Sequence, residues 1–453
     1  MGHGLQTSAV VQGCPAFPGF NVPLIHALPS PDVPSFSDGV EFGVEANQGS
    51  VDGAANNVFA TVSLLIINSP PDVLFNLFVT PSASFFEHDS ISAERTGAKM
   101  SLPLLSIPPS QKQSYIVDQL EGERITIPGS KGAFRILASS KQTDGGIAVF
   151  SSGAVISDAP GFHWHDEAHD VFLVTKGFLK LWNGDKCKIL GPGDFAYIPP
   201  KFIHNPQLLG PHTETLGLIA PGDWVDFFRY VSETFSGIIV PEDDSRDLKS
   251  LLIPKVMAAK DKFDVHFARD HDPAEVSDWD GTECVLPGPL EPYYLRGNTG
   301  PRWMLGAVMS RPFIHASQCS GKFAISSIES SKLYDGSLNP FSQRVTFEKV
   351  AHCFVVMEGV LGVKLYETDN GGEDAWSEVR EGQTVVIPAG QTFSLCFKAR
   401  YVRAISFTNG TGVEEIIRRA GTPYQGFVLP EQAQEWNDAK FRDGCSSAVA
   451  RLG

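Results

Sequence analysis

The chain has 453 residues, 42% of them hydrophobic, which is enough to bury the cores of two or three domains. A formal net charge of -16, with no basic run against it, excludes nucleic-acid and anionic-membrane surfaces, since both need a local Lys/Arg excess. Forty-three glycines and 32 prolines favour turn-rich β structure, and seven scattered cysteines without a C-x-x-C pair fit reduced thiols better than a disulfide framework or a zinc site.

Residues 1–110 read as a mostly unstructured N-terminal extension, because Pro, Ser, Gly and Asn interrupt every apolar run, as in ALPSPDVPSFSDG and EANQGSVDGAANN. The start, MGHGLQTSAVVQGC, lacks the basic opening and continuous apolar core of a signal peptide, and Gln6 breaks the myristoylation pattern. The most apolar stretch, residues 58–67, is shorter than the ~20 residues that span a bilayer. The expectation is a soluble, cytoplasmic protein that meets no membrane. Met100 stands just ahead of strand-like sequence, so residues 1–99 are either a dispensable extension or the result of a start placed too early.

From Gln111 short apolar runs alternate with turns about every ten residues (SYIVDQL, ERITIPG, AFRILASS, GGIAVFSSGAVIS), the grammar of a β-sandwich or barrel. Residues 161–204 are the chemical centre. His163 and His165, at i and i+2 on a strand, point to one face. His204 arrives from another strand after the GPGD turn, and Asp170 is a carboxylate spaced to join the three imidazoles, so that this face can hold a metal. Between them DVFLVTKGFLKLW has strand composition, with Lys176-Gly177 reading as a turn. DWVDFFRYVSETF, as a short helix or final strand, closes a first barrel over 111–240.

Residues 241–290 form a connector whose helix-favouring run SRDLKSLLIPKVMAAKDKF packs between two barrels, with Pro254 near a helix start or at a break. His266 and His271 lie too far along the chain from the motif to be given a metal. A second barrel, 291–441, is announced by an internal repeat: CFVVMEGVLGVKL follows the pattern of VFLVTKGFLKLW, Gly359 matches Gly177, and Pro388 matches Pro199. Opposite His163, His165, Asp170 and His204 stand Val345, Phe347, His352 and Phe393. One imidazole among apolar groups cannot hold a catalytic metal, which needs three or more ligands, so the second barrel is expected to be metal-free and His352 a core residue. Residues 442–453 read as a loose tail.

His-x-His, four residues, an acid, six residues and Gly resemble the first motif of the cupin superfamily, and Gly-x6-Pro with a following His resembles the second. The text from 111 to 441 is similar to fungal quercetin 2,3-dioxygenases, which are two-cupin oxygenases. The resemblance implies an all-β chain of two cupin (RmlC-like jelly-roll) β-barrels, with one metal, in the first. In that family three His and one Glu bind it; here His163, His165 and His204 take the histidine places, and Asp170 stands where the family has Glu. Counting back from Gly177 lands on Asp170 rather than on His169, the alternative ligand beside it, while Glu167 reads as a solvated acid. These donors suit copper, by analogy with the fungal relatives, and equally iron, manganese, nickel or cobalt.

The implied reaction deprotonates a flavonol hydroxyl near the metal, adds O2 and opens the central ring. Asp170 is the implied catalytic base, either coordinating the metal despite being one methylene short or acting through water. Phe134, Phe172, Thr215, Ile219 and Trp224 are implied to line the substrate cavity. Ser152, Ala154 and Pro206 depart from the family's residues, which points to a related polyphenol or another enolisable aromatic. The expected partners are that small aromatic substrate and O2, and the chain is expected to be a monomer or a homodimer. Two other classes fit the same motif: an isomerase, cyclase or decarboxylase using the metal as a Lewis acid, and a non-catalytic metal-binding cupin.

Overall fold

The alternation in DVFLVT decides how the first barrel is built. In the strand His169–Asn183, Phe172 and Val174 point into the barrel, while Val171 and Leu173 join an apolar cluster shared with Phe313, Ile325, Val355 and Phe407 of the second barrel. Both faces are buried, which is why the run reads as nearly continuous apolar sequence. The computed structural model describes residues 101–155, 161–237, 246–334, 338–366 and 374–453; the expected extension up to residue 100, with the question of the start at Met100, lies outside the described residues.

The first barrel's sheet runs Glu123–Thr126, Gly132–Ala138, Ala148–Ala154, His204–Ala220, His169–Asn183 and Phe195–Ile198, antiparallel throughout. The second barrel packs a sheet containing Gln383–Ile387, His352–Glu358, Val402–Thr408, Ala324–Ser330 and Val308–Ile314 against a five-stranded sheet of Ala375–Arg380, Val360–Tyr366, Thr392–Phe397, Val345–Phe347 and Ala450–Leu452.

Two strands cross the boundaries expected at 111 and 291. Tyr115–Asp118 pairs with Gln383–Ile387 of the second barrel, and Tyr293–Leu295 pairs with Phe195–Ile198 of the first. Each delivers alternate side chains, Tyr115 and Val117 or Tyr293 and Leu295, to the cluster between the barrels. A period-two pattern tells which side of a strand is apolar, not which sheet it joins. Leu104–Leu105 adds a short parallel pair to Ile116 and Val117, so the fold begins ahead of residue 111.

Three local expectations are also corrected. Lys176-Gly177 is no turn: the strand runs unbroken from His169 to Asn183, with Gly177 at a φ of +64°. Pro254 lies inside the helix Leu248–Ala259; the missing N–H removes one helical bond, and packing of Leu252, Val256 and Ala259 against the first barrel's aromatic cluster holds the helix. The tail is packed. The helix Asp438–Ser447 is capped by Asn437, whose side chain accepts from the Lys440 N–H at 3.0 Å; it buries Phe441 and Cys445, and Ala450–Leu452 pairs with Val345–Phe347.

Candidate metal centre

The pairing of His204 with His163 across adjacent strands brings two imidazoles side by side, ring centres 4.2 Å apart, with His165 5.3 Å from each. Asp170 enters from the neighbouring strand, its Oδ2 3.2 Å from His165 Nε2 and 3.0 Å from His204 Nε2. One donor atom from each of the four residues lies within 4.8 Å of all the others. Donors about 2.1 Å from a common ion stand up to about 4.2 Å apart, so this set needs to close by only a few tenths of an ångström.

The hydrogen bonds at the back of each ring set what the front can do. His163 Nδ1 lies 2.8 Å from the Gly161 carbonyl, His165 Nδ1 2.5 Å from that of Asp264, and His204 Nδ1 3.1 Å from that of Phe202. A carbonyl only accepts, so each Nδ1 carries the proton and each Nε2 keeps its lone pair. The Nε2 atoms of His165 and His204 are buried, and the polar group that faces them is Asp170 Oδ2. Three lone pairs and a carboxylate oxygen repel one another; a cation at their meeting point satisfies all four.

The electrostatics follow. Burial drives the His163 imidazole far below its usual range, reinforced by His204 and His165, and keeps it neutral. Burial pulls in the same direction on His165, but the charge and contact of Asp170 outweigh it and raise that ring. Burial would raise the Asp170 carboxyl, yet His165 and His204 hold it well below the ordinary carboxylate range. A proton on His165 Nε2 and a metal ion are thus alternatives for the same point.

Comparison with known proteins agrees with this architecture. The Cupin domain family matches residues 154–213. The quercetin 2,3-dioxygenase of Aspergillus japonicus is 22% identical over 351 residues, 71% of this chain and 96% of that enzyme, so the alignment runs through both barrels. By its fold the chain is a bicupin, two cupin-like barrels in one polypeptide. A second quercetin 2,3-dioxygenase, from Bacillus subtilis, is 31% identical over 127 residues; that match spans 28% of the bicupin and 37% of the relative, about a third of its length. Oxalate decarboxylase structures from Bacillus subtilis (TM-score 0.41, 12% identity, 67% of the bicupin and 78% of that chain) and Lactobacillus farciminis (TM-score 0.40, 12% identity, 63% and 83%) are similar too.

Within the bicupin the three acid-position candidates separate cleanly. Glu167 is exposed. His169 turns away, its Nδ1 2.9 Å from the Tyr197 hydroxyl and its ring edge-on to Phe323 of the second barrel. Only Asp170 meets the imidazoles, and its shorter side chain reaches them. Around it, Ile219 pairs with Asp170 in register, Phe172 lies opposite Gly217, and Thr215 Oγ1 is 2.7 Å from Ser152 Oγ. Trp224 packs edge-on against His165, ring centres 4.8 Å apart, and its Nε1 donates to the Asp264 carbonyl at 2.8 Å. Phe134 stacks on Phe228 at 4.6 Å, and Phe228 in turn meets Trp224, so Phe134 is two rings removed from His165.

Sequence reasoning missed the connector. Its strand His266–Phe267 pairs with His163–Trp164, placing Phe267 beside His163 and stacking His266 on Trp164 at 5.2 Å. Asp264, two residues earlier, contacts the loop that follows His165 from about a hundred positions away. No local pattern marks a lone acid in KFDVHF for this role.

At the matching place in the second barrel, His352 is caged by Phe347, Phe354 and Phe393, with ring centres 4.4, 5.6 and 5.3 Å away, and burial lowers it to about 3. Nearby, burial raises the Glu414 carboxyl to about 7, while its Oε1 accepts the Gly412 N–H at 2.6 Å. The two act on opposite sides of neutrality. His352 contributes stability above about pH 6.5 that is lost as pH falls toward 3; Glu414 contributes stability below about pH 4.5 that is lost as pH rises through 7. Glu414→Gln keeps an acceptor for Gly412 and cannot ionise. Calorimetry from pH 5 to 8 is expected to show a flatter Tm profile for this variant, with a relative gain on the order of 2–3 kcal/mol at pH 8. Parallel profiles would show that Glu414 does not govern the alkaline limb.

Proposed function

We propose that the bicupin is a metal-dependent dioxygenase that uses O2 to cleave a flavonol-like or other enolisable aromatic substrate. The observation that carries this reading is the convergence of buried imidazole nitrogens on an ionised carboxylate. The two quercetin 2,3-dioxygenase relatives supply the reaction class. A divalent transition metal held by His163, His165, His204 and Asp170 would supply Lewis acidity and a place for O2; copper is the first to test.

The chain's own residues do the rest. Asp170 is held ionised and takes the proton of the substrate hydroxyl on its remaining oxygen. The Nδ1 bonds to Gly161, Asp264 and Phe202 keep the three rings from rotating as that charge moves. Phe172, Ile219 and Trp224 give an aromatic ring apolar surface to stack on and keep water from the reacting face.

The test is elemental analysis of the purified protein with oxygen uptake on adding quercetin. About one metal per chain and substrate-dependent uptake are expected. Asp170→Asn, of the same shape but unable to take the proton, is expected to slow uptake by about 10²–10⁴-fold. Metal at full occupancy with no uptake on any enolisable aromatic would overturn the oxygenase reading and leave Lewis-acid chemistry without O2.

A further inference from the structure

We propose that Asp264, in the connector between the barrels, is the positioning residue of the metal centre, locking the loop that joins the ligands His165 and Asp170. The inference rests on the four-residue metal centre described above and adds to it a group outside both cupin motifs.

Five hydrogen bonds converge on this one residue. The main-chain N–H of Asp166 donates to Asp264 Oδ1 at 2.6 Å, and those of Glu167 and Ala168 donate to Oδ2 at 2.8 and 3.0 Å. Its carbonyl accepts from His165 Nδ1 at 2.5 Å and from Trp224 Nε1 at 2.8 Å. Three successive N–H groups turned toward one point form a nest that calls for an anion, and a carboxylate has enough lone pairs to satisfy all three. This nest covers three of the four positions between His165 and Asp170, leaving only His169 outside it.

The consequence is geometric. The carbonyl fixes which nitrogen of His165 faces the metal, and the carboxylate fixes how far His165 stands from Asp170. With the carboxylate gone, three N–H groups lose their partners and the loop is free to move. The four donor atoms, gathered within 4.8 Å, then meet only at a cost in binding. The adjoining strand His266–Phe267, paired with His163–Trp164, ties the same stretch of connector to the third ligand.

The test uses Cu2+ alone as probe, on the full chain stripped of metal, with affinity read by chelator competition and the copper environment by electron paramagnetic resonance. Asp264→Ala is expected to weaken Cu2+ binding by about 10–100-fold, the usual size of an effect from a group that orients a metal ligand, and to change the copper hyperfine pattern. Asp264→Asn, with one acceptor oxygen left, is expected to fall between, and it carries the test if Asp264→Ala does not fold. Asp261→Ala, an exposed connector acid, is the control and is expected to match the wild type. Affinity within about a factor of two of wild type and a superimposable spectrum in Asp264→Ala would overturn the inference, since outer-sphere roles show in both readouts. If the wild type itself takes up no metal, the centre fails and this role with it, an outcome distinct from loss in the variant alone.

Discussion

His204→Ala is expected to leave the protein without metal, and His163→Ala likewise, while His352→Ala stays loaded. All three substitutions delete an imidazole from the same face of a cupin barrel, so the contrast isolates the partners. Around His204 stand two further rings and a carboxylate, with Nε2 buried and 3.0 Å from Asp170 Oδ2. Around His352 stand three phenylalanine rings. Removing one of four converging donors opens the site to water on the side where the lone pairs were fixed, and occupancy by elemental analysis is expected to fall from about one per chain to about a tenth or less. A ligand that binds only the folded state stabilises by about 4 kcal/mol at a thousand times its dissociation constant. Chelation is therefore expected to lower the Tm of the wild type and of His352→Ala, and to leave that of His204→Ala unchanged. His352→Ala is expected to lose about 2–4 kcal/mol by opening a cavity in the second core, a loss in stability that does not touch the metal. Equal metal loss in all three variants would overturn the single-centre arrangement.

The four converging residues were legible because their placement is local. His163 and His165 share a face by strand periodicity, and Asp170 and His204 follow at spacings set by the strands and turns in between. Whether Asp170 could reach was not legible, because a methylene's difference is settled by where two backbones sit; its Oδ2 comes to 3.0 and 3.2 Å of the two rings. His169 shows the same limit from the other side. Its neighbour faces the three imidazoles, so alternation turns His169 outward, and only the second barrel supplies the Phe323 it meets there. Asp264, the exchanged strands Tyr115–Asp118 and Tyr293–Leu295, and the packed C-terminal helix were illegible for one shared reason. Their partners lie far along the chain, and nothing in a run such as KFDVHF or YIVD encodes which distant surface will be near.

Gly177→Ala is the second large effect, and it separates two physical costs. Gly177 sits at a φ of +64° in the middle of the strand His169–Asn183, and a Cβ there would overlap the His212 carbonyl, with Thr213 Oγ1 and Cα also closer than any ordinary contact. The neighbours are largely backbone, so no side chain can swing aside. A left-handed conformation costs a non-glycine residue about 1–2 kcal/mol, and overpacking against fixed atoms adds about 1–3 more. The expected loss is about 2–5 kcal/mol in chemical denaturation, with unchanged m-value. Gly359→Ala is expected to cost as much, since its φ is +77° and its Cβ would overlap the Tyr401 carbonyl. Gly382→Ala is the reference: its φ is +81° but nothing lies within 4 Å, so it isolates the conformational cost, about 1–2 kcal/mol. Gly177 lies beside the irregular register between Leu209 and Glu214 in the strand that begins with His204. Strain relieved by a shift of that strand would weaken Cu2+ binding in Gly177→Ala and leave it intact in Gly359→Ala. A loss in Gly177→Ala no larger than in Gly382→Ala would show that the two strands do not depend on this close approach for their register.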